Sequence, residues 1–597
     1  MPATRSPRSR SPARAAASAA APTDPGSLDN ASLEDMANEI SFGQRIFQKI
    51  MTDYRSLTVV IFALPLSLVW DTLLWLRTLM QSSAHSASAK AEHEARVREM
   101  VEQVRARPAG KRMCSGRPGW QSMSLSYRPY KQRSHAINTV CKLTHFVSID
   151  LEGEDKTITV EPLVSIGQLT QLLLPRGYTL PVVPEMDDLT VGGLVAGTGI
   201  ESSSHRHGLF HEQCVAFELC LADGTVVTAS RTEHADLFHA VPWSYGTLCF
   251  VLSVKLRVVP CQPYVRLTYT PYTEKSAALA HFAALSSAGD AAPEFVEALA
   301  FSPTAYVVMA GEQVARPDRA DGVVNTLSYW FKPWFFKHVE AKVGDAKPSV
   351  EYIPLRDYYH RHTRSMFWEM ELMLPVGNHP IARYLLGWLL PPKVSFLKLT
   401  QTEMTRRLTK ATHVAQDFML PMGALGDMLE LCDDVYDQLY PIWLCPHAHR
   451  SMPGTIMVEP SSAAPSAAAA PSPASRRSKS PGRVKIPARN PAKVVGSALP
   501  AGTHMFVDLG VYGLPSCVKR DPVGHGFNMQ SAMRVAEQRL REIGGVQMLY
   551  ADIYQTRDEF EQMFPHAAYR KLRAKYGANE VFPEVYDKIN VALTSVN

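Results

Sequence analysis

The chain lacks several features that would place it at once. None of its nine cysteines, at 114, 141, 214, 220, 249, 261, 432, 445 and 517, stands in a CxxC pair, and the number is odd. That pattern excludes a disulfide framework and a cysteine-built zinc site, and favours a reducing, cytosol-facing location. A charge excess of either sign is missing too: 62 basic and 57 acidic residues leave +5 over 597 positions. Much of the small excess sits in low-complexity segments, so no nucleic-acid partner is implied. The P-loop pattern GxxxxGK[ST] is absent, as are an internal repeat and any nicotinamide motif.

What remains is an ordinary globular composition, 46% hydrophobic and 20% charged, in a chain of 597 residues. That length supports two or three domains. Residues 1–50 are rich in Ala, Ser, Pro and Arg and read as a disordered basic tail, with a transit peptide as the second reading. One long apolar run follows at 56–80 (SLTVVIFALPLSLVWDTLLWLRTLM), with no charge until Asp71 and then Arg77. A spanning helix needs roughly 20 apolar residues, and Trp70 and Trp75 suit an interface. The run is read as a single membrane anchor, with a helix lying in the interface as the alternative.

Residues 84–107 read as a charged, solvent-exposed helix or linker. Short strands and turns begin near 110. The runs 146–151 and 157–161, joined by the polar turn GEDK, signal a hairpin. A helix is expected over 165–174, ended by Gly177. Residues 460–500 are Pro, Ala, Ser and Lys/Arg, and read as a disordered insertion in a surface loop.

The segment TVGGLVAGTGIESSSHRHGLF, 190–210, concentrates glycine and hydroxyls. Glycine lets backbone amides approach a ligand without a Cβ between them. Amides gathered at a turn and a helix start suit phosphate oxygens. Thr190, Thr198, Ser202 and Ser203 offer hydroxyls to the same anion. The alternative is that these glycines only shape a tight turn, and spacing alone leaves both open. A second glycine turn, SGRPGW, holds Gly116 and Gly119 around Arg117. The two turns, separated by a hairpin and a helix, could face each other across an extended dinucleotide.

The order SGRPGW, ITVEPLVSIGQLTQLL, LPVVPEMDDLTVGGLVAGTGIESSSHRHGLF, ELCLADGTVV, DLFHAVPWSYGTLCFVLSVKLRVVP resembles the FAD-binding domain of the vanillyl-alcohol oxidase (PCMH-type) superfamily. Within it the chain resembles the Δ24-sterol reductase family, the 24-dehydrocholesterol reductases and plant Diminuto proteins. YWFKPWFFKHVE, EYIPLRDYYHRHTRSMFWEMELMLPVGNHP, PPKVSFLKLTQ, YPIWLCP, GGVQMLYADIY and FPEVYDKI carry that likeness from about 57 to the end.

The resemblance implies an α+β fold. It places an FAD-binding domain over 85–262, an α+β substrate cap over 263–560, and a segment returning to the FAD domain over 561–597, after one N-terminal membrane segment. It implies FAD, NADPH, a sterol with a Δ24 side chain, and a single-pass enzyme of the endoplasmic reticulum membrane facing the cytosol. It also implies FAD contacts at Thr190, Val191, Gly192, Gly193, Leu194, Val195, Ala196, Gly197, Thr198, Gly199, Ile200, Glu201 and Ser202, with Gly116, Arg117 and Gly119 opposite.

Trp120 stands where many relatives of the superfamily attach flavin to histidine, so non-covalent FAD is expected. His205, His207 and His211 form HxHxxxH, but no acidic or cysteine partner stands at ligand spacing, and no metal is expected. Asp187 and Asp188 are read as bracing the glycine turn. An isolated alkene needs a proton donor beside a hydride source. The sequence does not single the donor out; Tyr359, His362 and Glu369 are the candidates, and LYADIY adds Tyr550, Asp552 and Tyr554. The rival readings are a flavin-dependent alcohol or sugar-acid oxidase or dehydrogenase, and a membrane-tethered sterol-binding protein without turnover.

Overall fold

A computed structural model describes residues 54–83, 87–121, 130–450, 503–522 and 524–590. The tail expected over 1–50 and the insertion expected over 460–500 lie outside the described residues. Two sheets organise the rest in a mixed α+β architecture.

The first sheet has five antiparallel strands in the order Phe146–Asp150, Thr157–Val160, Phe250–Arg257, Cys214–Cys220, Val226–Ser230. The hairpin read at 146–161 forms one edge, with Ile149 opposite Ile158. The helix expected next runs Ile166–Leu173. Ser165 caps it: its hydroxyl accepts from the Gln168 amide, and the Gln168 side chain accepts from the Ser165 amide. Two donors that a bare helix start would orphan are thereby satisfied. Ile166, Leu169, Leu172 and Leu173 are buried, and Gly177 ends the segment at φ +76°.

The charged helix expected within 84–107 forms over Ala87–Arg105, but it is not exposed all round. His93, Val97, Met100, Val101 and Val104 recur at helical spacing and are buried. The stripe is narrow and charges outnumber it, so composition concealed it. His93 sits between Glu161 and Glu218, 2.7 Å from each.

The second sheet has nine strands in the order Val323–Val324, Ser349–Pro354, Tyr264–Tyr272, Ala305–Val314, Phe295–Ser302, Ile442–Arg450, Thr503–Gly513, Val414–Pro421, Val546–Gln547. Helices Lys275–Ser286 and Met529–Ile543 pack on it, and Leu425–Val435 packs against both helices. Register places Cys445 beside Asp508 and Trp443 beside Gly510, which faces Asp417. Period-two alternation therefore gathers Glu297, Trp443, Cys445, His447, Asp417, Asp508 and Tyr512 on one face. Residues 355–374 and the helical turn Ser204–His207 meet that face.

Residues 557–590 pack against the five-stranded side. Met113 N–H donates to Val581 O at 2.6 Å, Phe250 and Phe582 rings lie 5.2 Å apart, and Arg573 donates to Thr247 O. At the N-terminal end one helix runs through 55–83, and 55–81 is long and apolar enough to cross a membrane, with hydropathy 2.0.

Candidate cofactor and active site

Thr190 bridges to Ser165 and caps the short helix Val191–Ala196. The Val191 amide donates to Val164 O at 3.0 Å and the Gly192 amide to Pro162 O at 2.8 Å. Those two amides bind the segment to the Pro162–Val164 stretch beside it and do not face a ligand. The amides of Gly193, Thr198, Gly199 and Ile200 have no acceptor among the described residues. A Cβ on Gly192 would lie 2.5 Å from Pro162 Cβ, and one on Gly199 would lie 2.7 Å from Leu194 Cδ2. Among the described residues, a Cβ on Gly193 would meet only Thr190 Oγ1, at 3.1 Å, and one on Gly119 would meet nothing within 4 Å. The two readings of the glycines divide by position: Gly192 and Gly199 permit packing, while Gly193 and Gly119 leave space.

Arg117 joins the two turns. Its guanidinium donates to Thr190 Oγ1 at 3.4 Å and to Gln121 O at 2.8 Å. Lys131 donates to the carbonyls of Ser115 and Arg117. Burial lowers the pKa of both cations, and no carboxylate pairs with either among the described residues. Gly116 is spoken for by packing, since a Cβ there would lie 2.6 Å from Asn138 Cα. Thr198 Oγ1 is buried without a partner among the described residues. Two unneutralised cations, an orphaned hydroxyl and an open glycine turn fit an anionic group of the diphosphate kind, as FAD carries. The side chain of Trp120, on which non-covalent attachment was argued, lies outside the described residues.

The remaining hydroxyls of the segment are committed elsewhere. Ser202 Oγ lies 3.0 Å from Tyr358 OH, and Ser203 Oγ donates to Pro181 O. Asp188 is ion-paired to Lys393, which also holds Asp71 at 2.6 Å. His205 Nε2 bonds Pro293 O at 2.8 Å, and burial takes its pKa down to about 4. No three His, Cys, Asp or Glu side chains group as metal ligands among the described residues.

Glu201 carries the segment into a buried charge cluster. Arg361 Nη2 contacts Glu201 Oε1 at 2.7 Å, and Arg361 Nε contacts Glu297 Oε1 at 2.7 Å. Trp443 Nε1 donates to the other Glu297 oxygen at 2.9 Å. Burial opposes the Arg361 charge, but the two glutamates hold its pKa well above the ordinary value.

Beside this cluster lies a second enclosure that sequence reasoning missed. Asp508 is fully buried, and neither carboxylate oxygen has a partner among the described residues. Asp417 is also buried and accepts from the Tyr512 and Tyr550 hydroxyls. Burial, then the neighbouring Asp417 and Glu185, push the Asp508 pKa well up. Asp417 is raised to about 6 by burial, against the pull of its two tyrosines. Burial followed by Glu201 raises Glu185 as well. His447 completes the group, with both ring nitrogens unpartnered among the described residues. An aspartate in an otherwise apolar strand (MFVDLGV) is the signal that marks this site in sequence.

The three candidate acids are not brought together. Tyr359 OH accepts from Thr179 Oγ1 at 3.1 Å. His362 lies 3.4 Å from Glu297 and stacks on Phe367, and burial lowers its pKa to about 4. Glu369 contacts His413 at 2.7 Å. Tyr550, by contrast, does reach the carboxyl enclosure.

A family model described as an FAD binding domain matches residues 86–230. The Delta(24)-sterol reductase of Homo sapiens is 41% identical over 544 residues, 90% of this chain and 94% of that protein. The Delta(24)-sterol reductase of Arabidopsis thaliana is 35% identical over 547 residues, 90% of this chain and 91% of that protein. The L-gulonolactone oxidase of Mus musculus is 35% identical over 112 residues, 19% of this chain and 25% of that protein.

Proposed function

The chain belongs to the Δ24-sterol reductase family, and from that premise we propose that it reduces the C24–C25 double bond of a sterol side chain. FAD is its resident carrier, held without a covalent bond, and NADPH is the reductant. The enzyme works at the endoplasmic reticulum membrane with its catalytic body in the cytosol.

An isolated trisubstituted alkene has no carbonyl to polarise. A proton must arrive at C24 as hydride arrives at C25, because positive charge builds on the more substituted carbon. Bound FAD supplies the hydride. The chain's own task is to hold the sterol tail, exclude water and deliver the proton. Thr198, Gly193 and Arg117 are the groups suited to grip the diphosphate.

The observation that carries this reading is the buried carboxyl of Asp508, which has no partner among the described residues. Carboxyls crowded into one water-poor enclosure cannot all ionise, so Asp508 keeps its proton near neutral pH. It is the group we assign as acid toward C24. Tyr550 donates to Asp417 and is 38% exposed, which links the enclosure to solvent for reprotonation. The likeness to sterol reductases spans both sheets, whereas the likeness to a lactone oxidase is partial; this favours reduction over oxidation.

The test is to purify the protein in detergent with FAD, add NADPH, and follow the flavin absorbance before and after a Δ24 sterol. Bleaching that recovers on adding sterol is the expected outcome. A protein without flavin, or one bleached only by an alcohol, would end this reading.

A further inference from the structure

The helix over 55–83 has two unlike faces. Along one, the protein body is met from the first turn to the last. Ser56 Oγ donates to Met373 O at 2.6 Å, and Val59 and Ala63 are buried. Ser67 Oγ accepts from the Lys393 amide at 2.8 Å, Asp71 pairs with Lys393, and Thr78 Oγ1 accepts from Gln168 at 3.2 Å. Arg77 donates to the Thr144 hydroxyl. Positions 56, 59, 63, 67, 71 and 78 follow the helical period, so the contacts form one stripe about 33 Å long. On the opposite face Leu57, Ile61, Phe62, Leu66, Val69 and Leu73 are each more than half exposed.

This docking is hard to reconcile with a bilayer crossing. A hydrocarbon core is about 30 Å thick. Were the docked helix to span it, Lys393, Asp188, Gln168 and Thr144 would enter the core with it. Polar and ionised groups are costly there.

A second apolar element continues the exposed face. Gly387–Leu389 packs on the helix, Trp70 meets the Phe396 ring at 6.3 Å, and helix Pro380–Leu386 leads into that turn. Ile381, Tyr384, Leu385 and Trp388 on it are all more than half exposed. Phe331 stacks on Tyr384 at 5.5 Å, adding aromatic bodies suited to a headgroup boundary. Besides Lys393, the stretch 372–412 holds five Lys or Arg and only one acid, Glu403. An exposed apolar surface with aromatic bodies, in a stretch whose charge is mostly basic, matches the surface of an anionic phospholipid leaflet. A cavity of about 360 Å³, lined by Trp330 and Trp388 as well as by Arg361, lies between this surface and the buried cluster.

We propose that helix 55–83 lies along one leaflet instead of crossing the bilayer, and that with residues 376–399 it forms a single lipid-facing platform. The platform makes the protein monotopic, with its N-terminal tail on the same side as its catalytic body. It does not depend on the reaction assigned above.

The full chain, tagged at both ends and inserted into sealed microsomes, tests this with protease added outside. Loss of both tags is expected; protection of the N-terminal tag until detergent is added would overturn the proposal. A second measurement uses the FAD-loaded protein and vesicles of phosphatidylcholine and phosphatidylserine. Ile381→Asp with Leu385→Asp should weaken vesicle binding by about tenfold or more, with flavin content unchanged. Unaltered binding would show that the helix alone holds the membrane, and would also overturn it.

Discussion

Arg361 holds Glu201 of the glycine segment at 2.7 Å while its Nε holds Glu297 of the nine-stranded sheet at the same distance, and all three side chains are fully buried. One guanidinium thus fastens the cofactor segment to the sheet that carries the carboxyl enclosure. The Val296 amide, donating to Ser202 O at 2.8 Å, ties the same seam.

Arg361→Met should leave two buried glutamates without a counter-charge. Removing one partner of a buried pair costs about 3–5 kcal/mol. The denaturation midpoint should fall, and flavin should be lost from protein that stays folded. Chemical denaturation followed by both tryptophan and flavin signals checks this; a variant with wild-type midpoint and full flavin would contradict the fastening role.

Gly192 and Gly193, adjacent in sequence, should respond oppositely to substitution. Gly192→Ala drives a methyl into Pro162 and should cost about 1–3 kcal/mol through overpacking. Gly193→Ala should be tolerated, because only Thr190 Oγ1 stands near its Cβ. Gly193→Glu should fold yet retain no FAD, since it fills the open side and adds like charge. Flavin content per chain, read beside thermal stability, separates the three.

Asp508→Asn removes the proton assigned to C24 while keeping the shape of the side chain. Sterol turnover should fall by about 10²–10⁴-fold, whereas reduction of the flavin by NADPH should proceed at the normal rate. In the unaltered enzyme the acid form is the active one, so turnover should decline as pH rises. Stopped-flow half-reactions distinguish this from a general loss of structure.

Stability should also depend on pH through His93. Burial alone would lower its pKa, but the hydrogen bonds to Glu161 and Glu218 overcome this and lift it to about 9. The folded protein therefore holds a proton that the unfolded chain releases near 6.5. The stabilisation is complete below that value and is lost as pH rises through about 9. Melting curves from neutral to alkaline pH should show the decline, and His93→Gln should flatten it.

Much of this protein was legible along the chain. The hairpin at 146–161, the capped helix after Ser165 and the apolar helix near the N-terminus are local features. Each is set by alternation, by a hydroxyl at a helix start, or by an uninterrupted apolar run. The ordered motifs of 113–262 marked the FAD-binding domain through family resemblance, and a family model of that description matches 86–230.

Tertiary structure alone decided the acid enclosure and the division among the glycines. Asp417, Asp508 and Glu185 are far apart in sequence, and their shared burial arises from strand register and from the segment that closes over the sheet. Val191 and Gly192 look as available as Gly193 in the sequence; only the neighbouring carbonyls of Val164 and Pro162 commit their amides. Charge and burial depend on what lies across a gap in space, and a linear chain does not state that distance.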